Sequence, residues 1–134
     1  CFNCEKTIKE AVDSIFFQEL KFSFEIIMID DGSNDKTWAM LNNFKSKFKE
    51  VRISQNIQNM GESYTRNKAI DMALGELIIH LDADDLWLRD KIKNQISFMK
   101  RKEITFSHTS YSIVNSQNMI LSKRNAKNFK TNWN

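Results

Sequence analysis

The stretch Phe24-Glu25-Ile26-Ile27-Met28-Ile29-Asp30-Asp31-Gly32-Ser33 decides how this chain folds. From Phe24 to Ile29 it is almost continuously apolar and rich in β-formers, which suits a short strand buried on both faces of a parallel sheet. The strand is expected to end at Asp30-Asp31, with a turn at Gly32-Ser33-Asn34.

Outward from this strand, helical and extended patterns alternate. On its N-terminal side Ile8, Ala11, Val12, Ile15 and Phe16 recur at helical spacing between Glu5 and Gln18, with Asn3 available as a cap. On its C-terminal side Trp38, Leu41, Phe44 and Phe48 give a second helical stripe, for which Ser33 or Asp35 can cap the start. Val51 to Ser54 reads as a brief strand, Asn56 to Gly61 as a loop, and Ser63 to Leu74 as a third helix with Ala69, Ile70, Ala73 and Leu74 facing inward. Leu77 to Leu81 reads as another strand. Leu88, Ile92, Gln95, Ile96 and Met99 form a further helical stripe, and two short strands follow at 104–107 and 111–114. Such alternation predicts an α/β fold, an open and mainly parallel sheet flanked by helices. The chain has no proline and only three glycines, so Gly32 and Gly61 are expected to mark turns that the backbone requires.

The second strand of interest, Leu77-Ile78-Ile79-His80-Leu81, runs into Asp82-Ala83-Asp84-Asp85. In a parallel sheet, loops after the carboxyl ends of strands gather along one edge, where ligands bind. Asp30-Asp31 and Asp82, Asp84 and Asp85 are therefore expected to meet in one crevice, and that much negative charge calls for a cation. Hard oxygen ligands suit Mg²⁺ or Mn²⁺, and Mg²⁺ is commonly held by one or two carboxylates together with substrate phosphates. In extended backbone Asp82 and Asp84 face the same side while Ala83 faces the other, so one carboxylate can reach a metal and the other a ribose hydroxyl. Gly61 to Asn67 supplies a glycine turn at a helix start and the Arg66 guanidinium, which can pair with phosphate, hold a carboxylate, or bond Glu62 one helical turn away. His80 reads as a partly buried polar residue.

Four motifs in this order resemble the nucleotide-binding half of the family 2 glycosyltransferases of GT-A (Rossmann-like) fold. They are Phe2-Asn3 with Glu5, then Phe24 to Thr37, then Asn59-Met60-Gly61 with Thr65-Arg66-Asn67, and finally Gly75-Glu76 with Leu81 to Trp87. The resemblance spans residues 1–115, which would form the nucleotide-sugar-binding domain. Residues 116–134 read as a polar, basic tail or the start of an acceptor-binding half. It implies a hexosyltransferase-type reaction, transfer of a sugar with inversion from a nucleotide-diphospho-sugar, with UDP as the expected nucleotide, to a glycan or lipid-linked acceptor. By matching positions, Phe2 and Asp31 would contact the base, Arg66 would lie near base or phosphates, Asp82 would approach the ribose, and Asp84 with Asp85 would ligate Mn²⁺ or Mg²⁺. The family's first strand is absent before Phe2, and its general base is expected downstream of residue 134, so a fragment incomplete at both ends is expected, and one that binds donor without turning it over is a further reading.

Composition narrows the remaining classes. The net charge of +3 is concentrated in the tail, where Lys123, Arg124, Lys127 and Lys130 stand without an acid, so no basic body for nucleic acid exists. The tail leaves a membrane-surface role open. No apolar run approaches the roughly 18–20 residues of a membrane span, and no signal-peptide pattern opens the chain, so a cytoplasmic protein is expected, with peripheral association at the inner membrane face as a family-level expectation. Cys1 and Cys4 form a single CxxC pair without the second pair that zinc needs. A phospho-accepting receiver domain is the rival from another class, with Ser107 or Thr109 after a later strand. It gives no role to Gly32-Ser33-Asn34-Asp35, to Arg66-Asn67 or to Asp84-Asp85-Leu86-Trp87, and no strand here ends in the lysine that it needs.

Overall fold

The computed structural model describes residues 1–126. Lys127 and Lys130 of the basic tail lie outside the described residues. The chain divides into two compact units, residues 1–91 and 92–134.

The first unit is built on one parallel pair. Strand β1 (Ile26–Asp30) and strand β2 (Val51–Gln55) are joined by helix α2 (Thr37–Lys47), giving a βαβ crossover. Register pairs Ile26 with Val51, Met28 with Ile53 and Asp30 with Gln55. Because side chains alternate along a strand, Ile26, Met28 and Asp30 share one face while Ile27, Ile29 and Asp31 share the other. On the first face the core assembles from Ile26, Met28 and Val51, from Ile8 and Val12 of helix α1 (Ile8–Phe16), and from Leu41 and Phe44 of α2. Leu41 is fully buried, a position where a leucine contributes about 1.5–3 kcal/mol of transfer free energy. Phe16 stacks on Phe48 at 4.2 Å between ring centroids, closing this layer. Helix α3 (Glu62–Met72) lies against β1, and its Thr65 reaches Asp31 on the opposite face. The far end of α3 is tied down by Arg52 and Glu25: Arg52 Nη1 donates to Met72 O at 2.7 Å, and a Glu25 carboxylate oxygen accepts from the Leu74 amide at 2.6 Å. Those bonds, with the Arg52 ion pair, hold the Glu25 carboxyl below the usual glutamate range.

The N-terminal segment is laced onto the turn after β1. Cys1 N donates to Ile29 O at 2.9 Å and the Asp31 amide to Cys1 O at 2.8 Å, a bonding pattern of parallel pairing along the free edge of β1. Asn3 does not cap α1 as expected. Its side chain accepts from the Asn34 amide, its own amide donates to Ser33 Oγ, and its backbone stands at φ 48°. The Glu5 amide and the Glu5 carboxylate bond Asp35 and the Lys36 amide in turn, and Cys4 N donates to Thr37 Oγ1. Asp35 Oδ1 accepts from the Thr37 amide at 2.9 Å, but the residue at the N-cap of α2 is Lys36 and neither Ser33 nor Asp35.

Several expectations are corrected. Residues 77–81 form no strand: no described strand lies beside them to share a ladder, and Leu77 and Ile78 stand about half exposed. Apolar content selects extended backbone, but a strand exists only where a neighbour accepts its hydrogen bonds. The inward face of α3 is polar instead, with Thr65 buried while Ile70 is exposed and Leu74, beyond the helix, is exposed too. In the second unit, 104–107 is not extended into a sheet. There helix α4 (Lys91–Lys102) precedes an antiparallel hairpin of β3 (Tyr111–Val114) and β4 (Ile120–Arg124), the latter falling in the stretch read as an unpatterned tail. The hairpin closes locally, because the Asn115 side chain accepts from the amides of Gln117 and Met119 and Asn118 takes φ 59°. Leu88, counted with the α4 stripe, lies before the helix and is exposed, whereas Ile92 is buried.

Gly32 sits at φ +74°, and a Cβ there would lie 2.7 Å from the Gln58 carbonyl carbon and 2.8 Å from Asn59 N. Gly61, at φ +86°, has nothing within 4 Å of that position. Gly32→Ala is therefore expected to destabilise by on the order of 2–4 kcal/mol, strain plus overlap, against about 1 kcal/mol for Gly61→Ala, strain alone. Urea unfolding of both variants measures the difference; equal losses would show that the close approach of the two loops contributes nothing.

Candidate functional site

Alternation along β1 sends its two terminal carboxylates apart. Asp30, fully buried on the core face, accepts from Gln55 Nε2 at 2.8 Å and from the Ser33 hydroxyl and amide. Asp31, 4% exposed on the other face, accepts from Asn56 Nδ2 at 2.7 Å, the Met60 amide at 2.9 Å and the Gly61 amide at 3.0 Å, with the Thr65 hydroxyl close by. Burial would raise its pKa, but these three bonds, with the Thr65 hydroxyl nearby, outweigh burial and leave the carboxyl below the usual aspartate range. The loop 56–61 is thus wrapped around Asp31, and Gly61 passes directly into α3.

The acidic turn is held from two sides. Ala83 packs against the core cluster while Asp82 and Asp84 are exposed, but the stretch is a turn, closed by the Asp85 amide donating to Asp82 O at 3.1 Å, and not the extended backbone expected for Asp82-Ala83-Asp84. After the turn, the Trp87 amide donates to Ser14 Oγ at 3.1 Å, Gln18 Nε2 donates to Leu88 O at 2.9 Å, and Arg89 pairs with Glu19. These contacts fasten the turn to α1. The half-buried Trp87 ring carries Lys91 Nζ at 4.3 Å from its centroid, and burial lowers the pKa of that ammonium. Arg66 Nη2 bonds Glu62 within α3 and also reaches Asp82 Oδ1 at 3.3 Å, bringing α3 and the acidic turn together. His80 is exposed. Phe2, 46% exposed, stands beside the end of β1 between Cys1 and Asn3, both bonded to it or its turn.

The single crevice of five carboxylates is not formed. Asp30 and Asp31 spend their oxygens inside the protein, and among the described residues no three His, Cys, Asp or Glu groups are placed to hold a metal ion. The exposed turn keeps a donor set suited to a hard cation all the same. Asp85 is pushed above the usual aspartate range by partial burial, then by repulsion from Asp84 and Asp82. That charge is uncompensated, and two carboxylates at the surface are the complement that Mg²⁺ or Mn²⁺ takes from a protein when phosphates supply the rest. Sequence reasoning missed Asn56, Thr65 and Lys68, which organise Asp31. Their signal was faint: a polar face where a helix meeting a sheet is normally apolar.

The chain belongs to glycosyl transferase family 2, whose family model matches residues 1–134. The receiver-domain alternative is set aside by that match. Among relatives, the chain is 40% identical over 114 residues to the Escherichia coli UDP-Glc:alpha-D-GlcNAc-diphosphoundecaprenol beta-1,3-glucosyltransferase WfaP, covering 84% of this chain and 43% of that protein. The structure of S. aureus TarS 1-349 in complex with UDP-GlcNAc superposes with a TM-score of 0.69 at 30% identity, over 76% of this chain and 30% of that one. The mannosyltransferase PcManGT from Pyrobaculum calidifontis, in complex with GDP-Man and Mn²⁺, matches at TM-score 0.69 and 20% identity over 88% of this chain and 34% of its own, a likeness of fold. The architecture is accordingly the α/β GT-A fold. The chain spans under half the length of the curated relatives it matches.

A depressed carboxyl contributes stability that is present above its unfolded pKa, near 3.8, and lost as pH falls through its lower folded value. The Met60 and Gly61 amides are therefore expected to stay protected down to pH about 4 and to lose protection below it. The raised Asp85 carboxyl acts in the opposite sense: its penalty is present above the folded pKa and relieved on protonation. Residue-resolved amide exchange along a pH series checks this; protection at Met60 and Gly61 that is flat through acid would remove Asp31 from the role.

Proposed function

We propose that this chain is the donor-binding part of a glycosyltransferase that takes a nucleotide-diphospho-sugar, a UDP-sugar, together with a divalent cation. The observation that carries the reading is the acidic turn: Asp82 and Asp84 stand exposed around a core-anchored Ala83, with Asp85 bearing uncompensated charge beside them. The UDP-GlcNAc in the TarS structure and the UDP-Glc in the name of WfaP support the choice of nucleotide. The Mn²⁺ of the PcManGT structure accords with the fold's use of a metal.

In this reading Phe2 flanks the base. Asp31 fixes loop 56–61 beside the base, and a base N–H would share or displace one of its three present donors. Arg66 steers the diphosphate and orients Asp82 towards the ribose. Asp84 and Asp85 would hold Mn²⁺ or Mg²⁺, which supplies charge neutralisation on the departing nucleotide diphosphate. Transfer forms a bond from an acceptor hydroxyl oxygen to the anomeric carbon and breaks the bond from that carbon to the diphosphate, with inversion; the hydroxyl proton passes to a general base. The acceptor is a glycan or lipid-linked saccharide, the latter supported by the diphosphoundecaprenol in the name of WfaP. Work on such an acceptor would place the protein in the cytoplasm, at the inner face of the membrane.

Titration calorimetry of the full-length protein with UDP is expected to show binding that tightens at least tenfold with Mn²⁺, a gain of about 1.4 kcal/mol, and to lose that gain in Asp84→Ala. Equal affinity with and without metal in the unaltered protein would falsify the metal-diphosphate reading.

A further inference from the structure

Lys68 belongs to none of the motifs above, yet it reaches the donor site through one buried side chain. Asn56 is 6% exposed, and each of its polar side-chain groups is used. Its Nδ2 donates to Asp31 Oδ1 at 2.7 Å and to Thr65 Oγ1 at 3.0 Å, while its Oδ1 accepts from Lys68 Nζ at 2.8 Å. Lys68 Nζ also donates to Gln55 O at 3.2 Å and forms no ion pair among the described residues. Thr65 and Lys68 stand three residues apart on α3, on the same side of the helix.

The chemistry of the two ends fixes the amide between them. An ammonium only donates, and an ionised carboxylate only accepts. With Lys68 on one side and Asp31 on the other, the Asn56 amide has one favourable orientation. Turning it over would set a carbonyl oxygen against a carboxylate and an amino group against an ammonium. Without Lys68 that second constraint is gone.

We propose that Lys68, acting through Asn56, is a positioning residue for the nucleotide end of the donor site. It locks the Asn56 amide so that Asp31 and Thr65 hold loop 56–61 and the start of α3 in the form that meets the base. The proposal rests on the donor-site reading above.

The test compares Lys68→Met, which keeps the stem and removes the ammonium, with Lys68→Arg, which restores a cationic donor, in the full-length protein. Without nucleotide, Lys68→Met is expected to speed amide exchange at Met60 and Gly61 roughly tenfold and to raise the midpoint of the Asp31 carboxyl titration followed by ¹³C NMR, with Lys68→Arg close to the unaltered protein. With nucleotide, Lys68→Met is expected to weaken UDP roughly threefold to tenfold while leaving the Mn²⁺ dependence intact. Unchanged exchange and titration in Lys68→Met would overturn the proposal, even if UDP bound more weakly, because the lysine would then touch the nucleotide directly. Should the unaltered protein bind no UDP, the donor reading fails while the nucleotide-free measurements still decide whether Lys68 locks the loop.

Discussion

One buried carboxylate organises loop 56–61 and the start of α3. Asp31 leaves the sheet on the face away from the main core and draws three donors, Asn56 just after β2 and the Met60 and Gly61 amides at the tip of loop 56–61. A carboxylate so placed is tolerated only because its oxygens are satisfied, and removing any donor would leave charge or an amide unpaired in a nearly dry place. The loop has no apolar anchor of its own, Ile57 being fully exposed. Its conformation therefore follows from Asp31 and from the close approach of Gly32 to Gln58 and Asn59.

The second acidic group is governed by different physics. Asp82, Asp84 and Asp85 are displayed rather than satisfied: Ala83 is drawn into the core, the Trp87 amide and the Leu88 carbonyl are fastened to α1, and Arg66 alone offers a guanidinium to Asp82. A surface ion pair of this kind contributes little to stability, so the turn is shaped by its apolar and backbone anchors and left electrostatically open. That contrast leaves Asp31 as an internal fastener and the 82–85 turn as a set of open carboxylates, the place where the proposed cation and phosphate would be met.

Much of the architecture was legible from the chain alone, and the reasons are local. The run from Ile26 to Ile29 has no competing period, and the stripe of Ile8, Ala11 and Val12 admits only a helix, so β1, α1 and α2 lie where pattern placed them. Helix α3 was placed correctly but read with the wrong inner face, because the rule that a packed face is apolar fails where a helix is held by hydrogen bonds to a buried aspartate. Residues 77–81 carry a strand's composition and lack its ladder, since composition reports burial preference and pairing needs a second chain segment in register. Strand β4 was passed over because Lys123 and Arg124 masked the Met119-Ile120-Leu121 run beside an Asn-rich turn.

The sequence by itself determined the family, the βαβ unit, the two acidic groups and the residue types able to meet a metal diphosphate, since each is written in contiguous residues whose period or spacing carries its meaning. Only the tertiary structure decided that Asp30 and Asp31 are consumed internally, that Arg66 spans 16 residues to Asp82, and that Asn56 bridges Asp31 and Lys68. Those facts depend on which donors arrive around a buried carboxylate from distant parts of the chain. Hydrogen bonding among buried polar groups is set by position and orientation in three dimensions, and no one-dimensional period encodes it.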